Sequence, residues 1–447
     1  MMKSQTLRVI AVAAIVLLGI ASACKKTPTP NPNNNGNNTT TIDTAKRNFT
    51  FKTETAQLTS SGTKTARMLN EVTTTSKLGK YGGWLNKKSD AKGFFYTLKT
   101  ADKGWTIVDP EGYYFLTVGV NSVVRTGNWT LPDSLWAIGA NTLGNWSDET
   151  INTSGGKKMS YTPRWNVMLN FKNTTTRRKS LYDAGVIAVF DPDFPAYADN
   201  TFKNAALYKN DPYVLGHFLD NELPIYDNTA YGNLLDRFLA ISDKTDPNYL
   251  AARDWMVARK GANYTIVATD REEFHGYVMG TYYKIANENL KKYDPNHLNL
   301  GSRLHGGAKG NKYIFREAGK YVDIISINIY DVWTPSTADM DMWANESGKP
   351  FFVTEFYAKA TDSGLTNATG AGWEVKTQVD RTRFFENFTL ALLENKGCVG
   401  FHHFRYQDDL DTNSGLVGLN NKWWDVMKNS YYRLARDIYF LRDALVK

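Results

Sequence analysis

The stretch YYFLTVGVNSV at residues 113–123 is the first of eight apolar runs of strand length in this chain. The other seven runs are ANTLGNW (140–146), GVIAVF (185–190), VLGHFLDNE (214–222), HLNLGSR (297–303), VDIISINIY (322–330), FFVTEF (351–356) and CVGFHHFRY (398–406). Polar or helix-like segments separate the runs, and apolar residues recur at helical spacing over residues 274–293 and 382–394. Strands that alternate with helices predict a parallel sheet.

The number of runs favours one parallel architecture over another. Eight strand–helix units over about 300 residues are typical of a closed (β/α)8 barrel, the TIM barrel. A doubly wound open sheet is the competing architecture, and it usually carries a Gly-rich phosphate turn after its first strand. No such turn follows Val123. We therefore predict the α/β class, with a (β/α)8 barrel over residues 79–447.

Polar and aromatic residues collect at the C-terminal ends of the predicted strands, which is the end of such a barrel that holds the active site. They are Asn121, Asn145, Trp146, Asp191, Asn221, Glu222, Arg303, His305, Tyr330, Glu355, His402, His403, Tyr406 and Gln407. One polar residue at a strand end indicates little, but so many at successive strand ends predict a site.

Two glutamates in this set, Glu222 and Glu355, end the fourth and seventh predicted strands. On a period of two, Glu222 shares a face with Phe218 and Glu355 shares a face with Val353, which directs both carboxylates toward the barrel axis. Two carboxyl groups about 5 to 5.5 Å apart form the catalytic pair of a retaining glycosidase. A single strand-end glutamate more often forms a structural ion pair, but the two together favour catalysis.

Seven motifs cover almost the whole body of the chain in order. They are WTIVDPEGYYFLTVGVNS (105–122), NTLGNWSD (141–148), FDPDF (190–194), DPYVLGHFLDNEL (211–223), KKYDPNHLNLGSR (291–303), FFVTEFYAKATDSGL (351–365) and GFHHFRYQDD (400–409). Together they resemble the clan A retaining glycoside hydrolases, and within them most closely the β-agarase family, glycoside hydrolase family 50.

This resemblance implies a role for each of four residues. Glu222 would be the general acid/base and Glu355 the nucleophile, while Asn221 would bind the 2-hydroxyl of the sugar in the transition state. Tyr330 would donate a hydrogen bond to the nucleophile. Five further residues are candidates either for sugar-binding subsites or for packing: Asn121, Trp146, Arg303, His305 and His403.

The composition argues against other classes of function. The formal net charge of +8 is spread along the chain without a basic block, which argues against nucleic-acid binding but is compatible with an anionic glycan. Adjacent residues on a strand point to opposite faces, so His402 and His403 cannot easily bind one ion, and no zinc motif is present. We predict no metal and no cofactor. The aromatic content of 13% suits stacking on sugar rings.

The N-terminus predicts export and a lipid anchor. Lys3 and Arg8 precede an apolar core at residues 9–20, and small residues then lead into Cys24. A core this short indicates a signal peptide rather than a membrane span. Residues 1–23 resemble the signal of a bacterial lipoprotein, in which the following cysteine is acylated; an ordinary secretory signal is the alternative. We expect an outer-membrane lipoprotein that faces the periplasm or the cell surface.

A polar tether is predicted over residues 24–78, because a Pro-, Asn- and Thr-rich segment buries too little to offset its ordering entropy. Within it, residues 51–78 either pack a strand against the body or remain loose, and the sequence leaves both open. With Cys24 acylated, Cys398 stands alone, so no disulfide is predicted.

The sequence thus predicts a retaining glycoside hydrolase with a polysaccharide or oligosaccharide substrate. The resemblance implies β-galactosidic linkages in agar-, porphyran- or carrageenan-type galactans, cleaved to short products. A clan A hydrolase of another specificity, such as a β-galactosidase, β-glucanase or β-mannanase, would use the same two glutamates. A non-catalytic surface glycan-binding lipoprotein is the rival of a different class, and it predicts the loss of one glutamate.

Overall fold

The computed structural model describes residues 49–70, 76–124, 131–153, 156–227 and 232–446. The strands in these residues are β1 (Phe51–Gln57), β2 (Thr63–Leu69), β3 (Trp84–Lys88), β4 (Tyr96–Thr100), β5 (Gly104–Val108), β6 (Tyr113–Phe115), β7 (Thr117–Val120), β8 (Thr142–Leu143), β9 (Ser160–Tyr161), β10 (Gly216–His217), β11 (Leu298–Asn299), β12 (Ile325–Asn328), β13 (Phe351–Glu355), β14 (Ala358–Ala360), β15 (Trp373–Val375) and β16 (Cys398–His403). The α-helices are α1 (Leu131–Ala137), α2 (Val167–Phe171), α3 (Thr176–Asp183), α4 (Phe194–Phe202), α5 (Leu234–Leu239), α6 (Pro247–Lys260), α7 (Ala268–Tyr293), α8 (Lys312–Ala318), α9 (Thr337–Ser347), α10 (Gln378–Glu394), α11 (Asp425–Ala435) and α12 (Ile438–Leu445).

Ten of these strands pair in parallel: β14 pairs with β15, and the other eight form two groups. Six form one sheet in the order β12-β13-β16-β7-β8-β9, and β10 pairs with β11. Isolated parallel bridges extend this pairing at both outer edges of the six-stranded sheet: Tyr161 bridges to Val214, and Leu304 bridges to Ile327. The mixed α/β class predicted from the sequence is confirmed, because parallel strands alternate with helices along most of the chain.

The predicted first and third strands need correction. Residues 113–123 divide into β6 and β7, and β6 belongs instead to a four-stranded antiparallel sheet of order β3-β6-β5-β4. Residues 185–190 form no strand, and the third parallel strand is β9. Residues 186–189 are all buried. The prediction failed because a short continuous apolar run looks alike in a strand and in any other buried segment. The two residues of β9 are too few to show a strand period.

The antiparallel sheet packs beneath the beginnings of the parallel strands. Its residues Phe95, Ile107 and Phe115 share a buried apolar cluster with Leu215 and Val399, which lie at the beginnings of β10 and β16. This packing covers the N-terminal end of the parallel strands. The polar residues that follow those strands therefore lie at the opposite end, where a site can open.

The segment β1–β2 is a hairpin that packs on α10. The backbone N–H of Gln57 donates to Asp380 Oδ1 at 3.1 Å, and that of Leu69 donates to Glu386 Oε2 at 3.1 Å. Met68 is buried in the main core. Residues 51–69 thus belong to the body, and of the two alternatives left open for them, packing is correct.

Residues 1–48 lie outside the described part of the chain, and with them the predicted signal peptide, Cys24 and the first half of the predicted tether. In the described ranges, none of the helices combines the length and apolar content that crossing a membrane requires.

Candidate active site

Glu355, the last residue of β13, is 4% exposed and accepts hydrogen bonds from three side chains. The indole N–H of Trp146 donates to Oε1 at 3.2 Å, and the guanidinium of Arg303 donates to the same oxygen. The hydroxyl of Tyr330 donates to Oε2. The donors follow β8, β11 and β12, so three strand ends fix the position of one carboxylate.

Tyr330 acts on this carboxylate as a neutral donor. Burial, followed by the charges of Glu355 and Glu222, raises the pKa of Tyr330 well above its ordinary value. A phenol that keeps its proton can only donate to a carboxylate. The electrostatic effect of both glutamates on one phenol also shows that both carboxylates lie near it.

Glu222 lies on the same end of the parallel strands as Glu355. Its Oε1 accepts a hydrogen bond from Asn328 Nδ2 at 2.7 Å, and Asn328 is the register partner of Glu355 between β12 and β13. Thr354 donates to Asn328 Oδ1 at 2.7 Å and so fixes the orientation of the amide. Asn328 Nδ2 is also 3.4 Å from Asn221 Oδ1. The Asn328 amide therefore contacts Glu222 and Asn221, while its residue lies beside Glu355 in the sheet.

The two glutamates have different surroundings. Glu355 is buried and faces a cation as well as two neutral donors, whereas Glu222 is half-buried and faces one neutral amide. Opposite environments for two carboxyl groups are the usual basis for separate acid and nucleophile roles. The arrangement suits Glu355 for attack as an anion and Glu222 for proton transfer with solvent access.

Five non-glycine residues with left-handed backbone follow five successive parallel strands. They are Ser122 (φ 54°), Trp146 (φ 66°), Asn166 (φ 52°), Glu222 (φ 48°) and Arg303 (φ 49°). Bulky residues rarely adopt this conformation, which costs on the order of 1–3 kcal/mol each and clusters at functional sites. Three of the five are residues that the sequence already predicted for the site.

The remaining predicted residues divide into two groups. Trp146 is 36% exposed, and the half-buried ring of His305 lies 6.2 Å from that of Tyr330, so both border the site. Asn121 and Arg303 are fully buried. Asn121 Nδ2 donates at 2.7 Å to the carbonyl of Thr354, the residue before the nucleophile candidate. These two side chains position Glu355 and its strand, and they do not present a surface to a sugar.

Of the two roles left open for His403, sugar binding or packing, its surroundings favour packing. Its ring is 1% exposed and lies 6.0 Å from the rings of both Phe356 and Phe385. Burial lowers the pKa of His403 to about 3, so the ring is neutral. His402 is also buried, and its Nε2 lies 2.8 Å from Thr117 Oγ1. Residues in the strand β16 are enclosed on both faces, so this histidine pair belongs to the core.

Sequence reasoning missed two polar residues of the site. Asn328 lies two residues before Tyr330 on β12, and the period of two would have placed both on one face. Arg164 follows β9, and its Cζ lies 3.7 Å from the ring centroid of Trp146. Because the third strand was predicted at residues 185–190, Arg164 was not recognised as a residue at a strand end.

Among the described residues, His217, Asp294 and His297 have ligand atoms close enough to bind one metal ion. Each of the four ring nitrogens already has a partner. Asp294 Oδ2 is 2.8 Å from His217 Nε2 and 2.7 Å from His297 Nδ1, while His217 Nδ1 accepts from Trp165 and His297 Nε2 faces the carbonyl of Asp211. Such a set is a saturated hydrogen-bond cluster, in which His217 ends β10 while Asp294 and His297 precede β11.

A glutamate pair at the C-terminal ends of parallel strands is an arrangement typical of the glycoside hydrolases. The solved structure of BpGH50 is 30% identical in sequence and superposes with a TM-score of 0.81 over 94% of this chain and 100% of that one. The chain belongs to glycoside hydrolase family 50, as its motifs predict. No protein-family model matches it.

Two further relatives share parts of the chain. Beta-agarase B of Vibrio sp. (strain JT0107) is 26% identical over 346 residues, which is 68% of this chain and 35% of that protein. The structure of an exo-beta-agarase is similar in fold, with 18% identity and a TM-score of 0.69 over 82% of this chain and 67% of that one. The chain spans about a third of the length of the curated relatives it matches.

Proposed function

We propose that this protein hydrolyses β-galactosidic linkages in agar-type galactans or their oligosaccharides with retention of configuration. The observation that carries the proposal is the arrangement of Glu355 under three donors beside Glu222, with Asn328 between them. The β-agarase relative supports the galactan substrate. Porphyran- and carrageenan-type chains belong to the same proposal, with short products released.

The proposed reaction has two displacements. Glu355 attacks the anomeric carbon as Glu222 gives its proton to the glycosidic oxygen, so the C–O bond breaks and a glycosyl-enzyme ester forms. Glu222 then takes a proton from water, and the water oxygen displaces Glu355. Asn221 binds the 2-hydroxyl of the sugar in the transition state, and the exposed indole of Trp146 supports the neighbouring ring.

The proposal includes a closed (β/α)8 barrel. The six-stranded sheet and the β10–β11 pair together supply eight parallel strands. The bridge from Tyr161 to Val214 favours closure on one side, and the bridge from Leu304 to Ile327 favours it on the other. In a closed barrel the ends of strands four and seven face one mouth, which suits a catalytic pair.

The substrate and the stereochemistry are tested with the full chain on a panel of agarose, porphyran, carrageenan, β-glucan and β-mannan. We expect short galactan products whose first-formed anomer, observed by proton NMR, is β. If the α anomer forms first, the retaining mechanism is wrong, but the proposed substrate is unaffected. Hydrolysis of β-glucan or β-mannan without action on any galactan would overturn the substrate, and no action on any member would favour a glycan-binding protein.

Two variants separate the roles of the glutamates. Glu355→Ala is expected to lose turnover and to regain part of it with azide, which attacks from the vacated face and gives the α-glycosyl azide. Glu222→Ala is expected to keep activity only on substrates with good leaving groups, because these need no proton. Glu346→Ala, on α9 and paired with Arg316, is the matched control. Wild-type rates on natural glycan in either site variant would contradict the assignment.

A further inference from the structure

Two guanidinium groups lie beside Trp146, and only one of them has a carboxylate partner. Arg303 Cζ is 5.9 Å from the Trp146 ring centroid, and its charge is balanced by Glu355. Arg164 Cζ is 3.7 Å from the same centroid. Among the described residues no carboxylate forms an ion pair with Arg164, and its buried Nε has no hydrogen-bond partner. Of the two cations beside Trp146, Arg164 is therefore the one without an ion-pair partner in the described part of the chain.

Glu149, the carboxylate that acts electrostatically on Arg164, forms no ion pair with it. Glu149 is already engaged by the hydroxyl of Tyr208 at 2.7 Å, and burial raises the pKa of Glu149. Burial and the charge of Arg303 lower the pKa of Arg164. A half-buried cation without a partner is costly, and a ligand that supplies an anion removes that cost.

Arg164 is placed to reach a sugar bound at the catalytic pair. It follows β9 and bridges to Phe218, which lies between β10 and Glu222 in the chain. It also stacks on Trp146, whose N–H contacts the nucleophile candidate. The planar edge of a guanidinium binds sulfate-like anions through two parallel hydrogen bonds, and the buried Nε of Arg164 has no partner among the residues that the structure describes.

We propose that Arg164 recognises a sulfate ester on a galactan unit bound next to Glu355. This inference rests on the proposed function, because it assigns a specificity residue to the same site. Arg164 would bind a substituent of the substrate and not the reacting atoms. It selects which galactan enters by pairing its uncompensated charge with the substituent of the substrate.

The test compares two galactan oligosaccharides that differ by one sulfate ester. For the wild-type protein we expect a higher kcat/KM on the sulfated one. Arg164→Met is expected to lower the sulfated-to-neutral ratio of kcat/KM at least tenfold, and Arg164→Lys to restore part of it because the charge remains. Arg253→Met is the matched control on α6, since Arg253 is an exposed arginine paired with Asp254, and it should leave the ratio unchanged.

Equilibrium binding of the same two oligosaccharides, measured by calorimetry, separates this inference from the proposed function. If the wild-type protein hydrolyses neither, the proposed function fails, and tighter binding of the sulfated oligosaccharide that Arg164→Met abolishes still supports the inference. Equal affinities in the wild-type protein, or a ratio that Arg164→Met does not change, would overturn it. Circular dichroism of each variant shows whether the fold is intact.

Discussion

At the scale of single residues, the candidate nucleophile is defined by what surrounds it. Glu355 accepts hydrogen bonds from Trp146, Arg303 and Tyr330. The first two of these donors have a left-handed backbone conformation. The strain places these side chains at angles that an ordinary strand end would not give. A donor to a charged group contributes about 1.5–3 kcal/mol, so each contact has a measurable effect.

Tyr330→Phe removes the donor to Glu355 Oε2 without changing the shape of the ring. We expect kcat/KM to fall by about 10- to 150-fold, the kinetic equivalent of a lost charge-assisted hydrogen bond. Tyr432→Phe, which changes an exposed tyrosine on α11, is the control and should have no effect. A Tyr330→Phe enzyme with wild-type kcat/KM would show that this contact does not support the reaction.

The buried histidines predict how stability depends on pH. Burial lowers the pKa of both His402 and His403 to about 3, below the unfolded value of about 6.5. Between those two values the unfolded chain binds protons that the folded chain does not, so stability falls as the pH decreases and is fully retained above about 6.5.

His403→Gln is expected to reduce the slope of unfolding free energy against pH by up to about 1.4 kcal/mol per unit. The slope is measured by urea unfolding at pH 7, 6 and 5. Phe385→Leu changes the packing against the same ring and should lower stability equally at every pH. The same slope in wild type and His403→Gln would show that His403 is protonated in the folded protein.

At the scale of elements, sequence reasoning locates helices and strands by their apolar residues, and it misses parts of an element that are polar or very short. Helix α10 was predicted over residues 382–394 but begins at Gln378, because its first turn is polar and is fixed by a capping box between Thr377 and Asp380. An apolar period cannot detect such a turn. The end of β13 at Glu355 was placed correctly, because a short apolar run precedes it.

Because the third strand was predicted at the wrong place, sequence reasoning did not identify Arg164 as a candidate site residue. With the strand predicted at residues 185–190, Asp191 became a strand-end candidate. In the structure Asp191 instead accepts bonds from Arg177 and Arg178 at 3.0 and 2.9 Å. The true third strand leads to Arg164, beside Trp146. A strand of two residues is too short to show the alternation of side chains, so the position of Arg164 could be found only from the structure.

The β1–β2 hairpin gives a prediction at this scale. Met68 is 3% exposed beneath the hairpin, and Met68→Ala is expected to cost about 2–5 kcal/mol, because truncation of a buried side chain leaves a cavity. Lys52→Ala, which removes the surface ion pair with Glu54, should cost less than about 1 kcal/mol. Chemical unfolding measures both, and a cost below about 0.5 kcal/mol for Met68→Ala would mean that the hairpin does not contribute to the core.

At the scale of the whole molecule, the two ends of the parallel strands have separate tasks. The antiparallel sheet of β3 to β6 packs under the strand beginnings through apolar residues such as Phe95 and Phe115. The polar and strained residues follow the strand ends. Burial at one end thus stabilises the scaffold, while the other end carries the glutamates. This division explains how a scaffold can tolerate five left-handed residues at its site.

A lipid on Cys24 would hold the whole molecule at a membrane. We propose that Cys24 carries a diacylglycerol and that the polar segment after it spaces the body from the membrane, since two acyl chains give stable attachment where one is marginal. Cys24→Ser is expected to move the protein from the membrane to the soluble fraction without reducing its activity on soluble oligosaccharide. Cys398→Ser is the matched control, because Cys398 is buried in β16, and it should leave attachment unchanged. If Cys24→Ser protein remains with the membrane, the anchor lies elsewhere in the chain.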